Sequence, residues 1–170
     1  MFNKLTDLLF LMNYVQIILH AAKVAKVSGF VLLAICTQET KLQNIVHKND
    51  GGSHSYGICQ VKFETARMLG YEGPEEDLNS PEINAKWAAN YLRYQQVRYG
   101  NLCKAISAYN AGRYNESKVM PGYPRNLKYV NSVNKILTNI STETVTCDIN
   151  YTKDKYAKNN GSRLRVQSAK

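Results

Sequence analysis

"AICTQETKLQNIVHKNDGGSHSYGICQVKFETA", residues 34–66, carries the pattern on which the fold of this 170-residue chain turns. The run "FVLLAIC" (30–36) leads straight into it and is apolar on every side, then the chain turns polar at Glu39 and Thr40. A helix apolar all round is one surrounded by core rather than laid on a surface. The cluster "NDGGSHSYG" that follows is made of turn formers, so residues 43–59 read as a loop. The expectation is a buried helix that ends in a carboxyl group, with a glycine-rich loop folded back beside it.

Outward from that stretch the periodicity is helical almost everywhere. Val15, Ile18, Ala22 and Ala25 recur at three- and four-residue steps until "SG" (28–29) breaks the run, with Ser28 as a cap. "QVKFETARMLGY" resumes a helix after the loop. Ser80 as cap, Pro81 at the first helical position and Gly100 as a stop frame the next one, with Ile83, Trp87, Tyr91 and Tyr94 as its apolar face. "LCKAISAYNAG" is a short helix ended by Gly112, and Leu127, Val130, Val133, Leu137 and Ile140 form the stripe of a last one. Strand signals are weak throughout. The fold class is therefore all-α, or mainly α: a single domain with one long cleft loop. Residues 1–14 read as a helical extension, 15–142 as the domain, and 143–170 as a basic, flexible tail.

Composition limits the partners. With 22 Lys/Arg against 13 Asp/Glu the net charge is +9, which favours a polyanion: nucleic acid, anionic lipid or cell-wall polymer. No nucleic-acid recognition motif is present. Six of the basic residues lie in 151–170, suited to a solubilising tail or to an anionic envelope surface. Cys36, Cys59, Cys103 and Cys147 show no CxxC spacing, so reduced, core-packed thiols are expected, with no metal site and no cofactor. The N-terminal run is interrupted by Asp7, Asn13, Tyr14 and Gln16 and lacks a small-residue cleavage site. It makes no convincing signal peptide and is too polar for a membrane span.

The chemistry concentrates on Glu39. Cleaving a glycosidic bond needs an acid still protonated near neutral pH, and burial produces one by penalising the charged form. The C-terminal end of a helix adds to this, because its negative pole disfavours a carboxylate. Taken alone, a glutamate at a helix end is more ordinarily a solvated residue. Asp50 reads most simply as a turn residue, although an Asp50 that reached the cleft and positioned a water would describe a hydrolase. Glu64 reads as a surface residue. Cys59 with a loop histidine would be the pattern of a thiol hydrolase, but a nucleophilic thiol needs an exposed, electropositive setting.

"AICTQET" with Glu39, "SYGICQ" (55–60), "SAYNAGR" (107–113) and "KYVNSV" (128–133) occur in one order and at one spacing. Together they resemble the SLT-type lytic transglycosylases, relatives of goose-type lysozyme, over roughly residues 17–138. Thr40 stands where that family has Ser, and Ile58-Cys59 where it has Leu-Met. Arg125, Asn126 and Leu127 stand in place of a Glu-Thr-Arg triplet, which unsettles the network around Tyr129. The resemblance implies a peptidoglycan lyase in which Glu39 is general acid and then base. The muramyl N-acetyl group assists, and the product carries a 1,6-anhydro end. It also implies substrate-binding roles for Thr40, Ser55, Tyr56, Gly57, Gln60, Tyr109, Asn110 and Tyr129. Gly57 lets the turn approach closely, and Gln60 also suits fixing the turn. Tyr109 equally suits core packing, Asn110 an internal tie, and Tyr129 a hydrogen bond that orients Glu39. A hydrolytic muramidase on the same scaffold and a catalytically silent glycan-binding subunit are the alternatives. Action in the bacterial periplasm or cell wall follows, with phage delivery, a virion or a secretion machine as settings that need no signal peptide.

Overall fold

The computed structural model describes residues 4–147. Six helices, α1 (Lys4–Ala25), α2 (Gly29–Thr40), α3 (Phe63–Met68), α4 (Pro81–Tyr99), α5 (Leu102–Ala111) and α6 (Leu127–Ile140), make it mainly α. α2 is the central element: Val31 to Cys36 are all buried, as an all-round apolar helix requires. It packs between α1 and α6, while α4 packs on α1 and α5. Ser28 caps α2 as its sequence position suggested, its hydroxyl accepting from the Val31 N–H at 3.2 Å. Gly29 allows α1 to close in, since a Cβ there would lie 2.7 Å from Leu19 Cδ2.

The stretch read as loop contains a small antiparallel sheet, β1 (Val46–Asp50), β2 (Ser53–Tyr56) and β3 (Val61–Lys62), in the order β1-β2-β3. Every residue of β1 is exposed, so it carries no alternation of apolar and polar positions to reveal it. The apolar face of α4 also lies one step round from the expected one. Asn84, Ala85, Ala88, Ala89, Tyr91, Leu92 and Gln95 are buried, Ile83 and Trp87 are half-buried, and Tyr94 is exposed. Small alanines on the inner face let α1 and α5 approach, which displaces the bulky residues to the rim.

The expectation of free thiols is overturned. Cys36 is bonded to Cys59 and Cys103 to Cys147, with Cα separations of 4.2 and 5.1 Å. Such pairs are made by tertiary approach across 23 and 44 residues, which no local spacing displays. On the chain-entropy account the loops are worth about 3 to 4 kcal/mol each. The second bridge anchors the start of the supposed tail. Glu143 accepts a hydrogen bond from Ser28 Oγ at 2.7 Å, and Val145 is buried with its N–H on Asn134 Oδ1 at 2.7 Å. Residues 143–147 are therefore strapped to the body, and the basic stretch 151–170 lies outside the described residues.

α1 crosses the expected boundary at residue 14 without a break. Ile18 and Ala22 are fully buried, whereas Leu8, Leu9, Phe10, Leu11 and Met12 are exposed. Leu8–Ala25 is long and apolar enough to cross a membrane by length and composition, despite the polar residues that interrupt it.

Candidate active site

Glu39 stands in the last turn of α2, half-buried, at the edge of a cleft of about 450 Å³. Tyr129, near the start of α6, donates its hydroxyl hydrogen bond to Glu39 Oε1. Burial holds the Glu39 carboxyl above its ordinary range. The Tyr129 hydrogen bond opposes that, the Asp50 charge reinforces it, and His47 opposes it weakly. Burial, together with the facing Glu39, keeps the Tyr129 phenol protonated well beyond its usual range, so it stays a donor. Among the described residues no cluster of His, Cys, Asp or Glu could hold a metal ion.

The wall beside Glu39 is the turn Tyr56–Gln60, and nearly every backbone group in it is engaged. The Gly57 N–H donates to the Ile45 carbonyl at 2.8 Å, and the Gly57 carbonyl accepts from Gln60 Nε2 at 2.8 Å. The Ile58 carbonyl accepts from Thr40 Oγ1 at 2.8 Å and the Cys59 carbonyl from the Tyr109 hydroxyl at 3.0 Å. Asn84, fully buried in α4, accepts from the Cys59 N–H at 2.9 Å and donates to the carbonyls of Tyr56 (2.6 Å) and Leu78 (2.9 Å). Left-handed backbone gathers in the same place: Lys41 and Leu42 (φ 56° and 61°) turn the chain out of α2, and Gln60 (φ 54°) closes the turn. Strain of this kind persists where surrounding structure over-determines it.

Residues 16–129, more than half of the chain, match the transglycosylase SLT domain. The chain belongs to the transglycosylase SLT family. Protein IpgF of Shigella flexneri is 28% identical over 116 residues, covering 66% of this chain and 73% of that protein. Protein IpgF of Shigella sonnei matches equally, 28% over 116 residues. An X-ray structure of an inactive mutant of the lytic transglycosylase Slt from Pseudomonas aeruginosa aligns with a TM-score of 0.58 at 21% identity. That alignment covers 71% of this chain and 22% of the other, a likeness of fold to one part of a longer protein. At the level of the family, this SLT transglycosylase is an enzyme acting on the glycosidic bonds of peptidoglycan.

The sequence-predicted residues of the SLT domain divide into two groups. Glu39, Gln60, Tyr109 and Asn110 line the cleft, and Tyr129 reaches it through Glu39. Thr40, Ser55, Tyr56 and Gly57 do not line it. Thr40 is buried on the Ile58 carbonyl, Ser55 donates to Asp50 Oδ2 at 2.6 Å, and the Tyr56 hydroxyl donates to Glu75 at 2.6 Å. A Cβ on Gly57 would sit 2.4 Å from Asn84 Cγ, so this glycine (φ 73°) makes room for a side chain of the protein. Tyr109 turns its hydroxyl inward and packs its ring on Tyr91, centroids 5.2 Å apart. Asn110 Oδ1 accepts from Asn126 Nδ2 at 3.0 Å, and Asn126 also bonds Ser107, which ties α5 to the start of α6.

His47, Asp50, Lys62 and Tyr91 are also among the residues that line the cleft, and none of them was named as a site residue from sequence. Asp50, most simply a turn residue from sequence, does reach the cleft, its carboxyl held below the usual range by the Ser55 hydrogen bond and by Lys62 at 3.4 Å. Glu64 is exposed, as expected. The thiol-hydrolase alternative lapses, because Cys59 is in a disulfide.

Proposed function

We propose that Glu39 is the general acid, and then the base, of a lytic transglycosylase acting on the bond between N-acetylmuramic acid and N-acetylglucosamine. One observation carries the reading: a half-buried carboxyl, held above its ordinary range and oriented by Tyr129, faces an open cleft. A protonated Glu39 delivers its proton to the bridging oxygen as that bond breaks. Charge then develops on the muramyl anomeric carbon, where the sugar's own N-acetyl carbonyl stabilises it. Glu39, now ionised, removes the proton of the muramyl C6 hydroxyl, which closes on C1 to give the 1,6-anhydro end. No water enters the balance. Tyr129 serves as a positioning residue in this scheme. Gln60, Tyr109 and Asn110 contact the glycan, and Thr40, Ser55, Tyr56 and Gly57 support it from behind the cleft wall. Residues 15–142 with the strap to Cys147 form the catalytic unit in this reading. The two disulfides suit the oxidising side of the envelope, where the wall lies.

A second reading draws on Asp50. An ionised carboxylate in the cleft could hold a water for attack on the anomeric carbon, which would make the enzyme a hydrolase. Mass spectrometry of digested glycan separates the two, since anhydro ends are lighter than reducing ends by one water. Reducing ends alone would refute the transglycosylase reading. Undiminished cleavage by Glu39→Gln would remove Glu39 from the chemistry and leave a silent glycan-binding domain as the alternative.

A further inference from the structure

The site's chemistry leaves the Cys36–Cys59 bridge without a part, although it is the covalent link nearest to Glu39. Cys36 lies one helical turn before Glu39 on α2, and Cys59 sits in the middle of the turn that forms the cleft wall. Immediately after Glu39, Thr40 donates to the Ile58 carbonyl. The last turn of α2 is thus joined to residues 58–59 on both sides of Glu39, once by a covalent bond and once by a hydrogen bond. Both cysteines are fully buried. A purely structural staple would serve as well anywhere in the fold, and Cys103–Cys147 is one, joining the start of α5 to the strap after α6 away from the cleft lining.

We propose that the Cys36–Cys59 disulfide is a positioning element for Glu39, so that glycan cleavage is switched on by oxidation of this pair. The inference rests on the reading of Glu39 as the acid. In the reduced state the turn, which Asn84 and Tyr109 hold to α4 and α5, loses its covalent tie to the helix that carries Glu39. It keeps the Thr40 hydrogen bond to that helix, against the left-handed strain at Lys41, Leu42 and Gln60. The wall then loosens, water reaches Glu39, and the proton donor loses both its aim and the burial that keeps it protonated. On oxidation the two thiols lose two protons and two electrons to an external disulfide, such as glutathione disulfide, which is reduced to two thiols. A protein kept reduced where it is made would be inert there and competent only on the oxidising side of the membrane, where its substrate lies.

The test compares oxidised full-length protein with Cys36→Ala/Cys59→Ala and Cys103→Ala/Cys147→Ala on soluble glycan strands. Melting temperature and circular dichroism are followed alongside. The first variant should stay folded, lose about ten- to hundredfold in kcat with little change in KM, and move the alkaline limb of its pH–rate profile to lower pH. The second should melt at lower temperature and keep its kcat and its pH profile. Wild-type protein refolded in a thiol reductant, which opens both bridges, should show the kcat and pH profile of the first variant with the lowered melting temperature of the second, and recover on addition of glutathione disulfide. If oxidised wild-type protein cleaves glycan and Cys36→Ala/Cys59→Ala matches it in kcat and profile, the positioning role is overturned while the glycan-cleaving reading stands. If that variant and the reduced wild-type protein are both unfolded, the bridge is a folding staple and the inference is again overturned. Oxidised wild-type protein that leaves glycan intact would refute the reading on which the inference rests.

Discussion

Gly57→Ala tests whether the cleft wall is shaped by packing within the protein or by the approach of a sugar. Two costs can be worked out from the structure. A non-glycine residue at φ 73° pays about 1–2 kcal/mol for left-handed backbone. The new methyl would meet Asn84 Cγ at 2.4 Å, Nδ2 at 2.5 Å and Oδ1 at 2.8 Å, all in a fully buried side chain. Overpacking of that kind costs about 1–3 kcal/mol more. The sum, about 2–5 kcal/mol, is a large part of the stability a domain ordinarily has. Asn84→Ala removes the obstacle but strands the Cys59 N–H and two carbonyls, so it is destabilising by itself. The informative quantity is therefore the double-mutant cycle. In the Asn84→Ala background, Gly57→Ala should cost only the backbone share, about 1–2 kcal/mol, leaving a coupling of about 1–3 kcal/mol. Urea denaturation of the four proteins measures it. Equal costs in the two backgrounds would refute the argument, and the glycine would then have to be explained by access to the substrate.

Three further outcomes follow from the electrostatics of Glu39. Tyr129→Phe removes a hydrogen bond that pulls the Glu39 carboxyl down, so the alkaline limb of the pH–rate profile should move to higher pH. Loss of orientation should lower kcat at least about tenfold, and a limb that stays put or moves down would contradict the assignment. Asp50→Asn removes a charge that raises Glu39, so the limb should move to lower pH, by an amount that shrinks with added salt because Asp50 is exposed. Anhydro products should persist in that variant, whereas loss of all cleavage would give Asp50 a part in the chemistry beyond its charge. Glu39→Gln should raise the melting temperature at neutral and alkaline pH and leave it nearly unchanged below the ordinary carboxylate range. Between the unfolded and the raised folded pKa the native state keeps a proton the unfolded chain has released, so stability falls as pH rises through that window. Calorimetry across pH reads the difference, and a Glu39→Gln protein less stable than wild type at neutral pH would refute the sign.

What could be read in advance, and what could not, follows from the range of the interactions involved. Buried helix α2, the Ser28 cap and the glutamate at the helix end are written in consecutive residues, and the structure repeats them. The order of four short motifs was enough to reach the family, because each motif sits on an element whose packing fixes its neighbours. The hidden features are those made by contacts between distant segments. Both disulfides close over spans of 23 and 44 residues. Asn84 reads as one polar residue among alanines until the turn at Tyr56–Gln60 folds onto it. The strand β1 has no buried face and so no alternation. Even the glycine of "SYG" was legible as a close approach, but its partner was not: a missing Cβ marks that something comes near, and only tertiary structure says what. Here Asn84 comes near, which moves Gly57 from the glycan-facing side of the wall to its core-facing side. A substitution at Gly57 should therefore register first in stability, whereas one at Gln60 or Asn110, which line the cleft, should register first in KM.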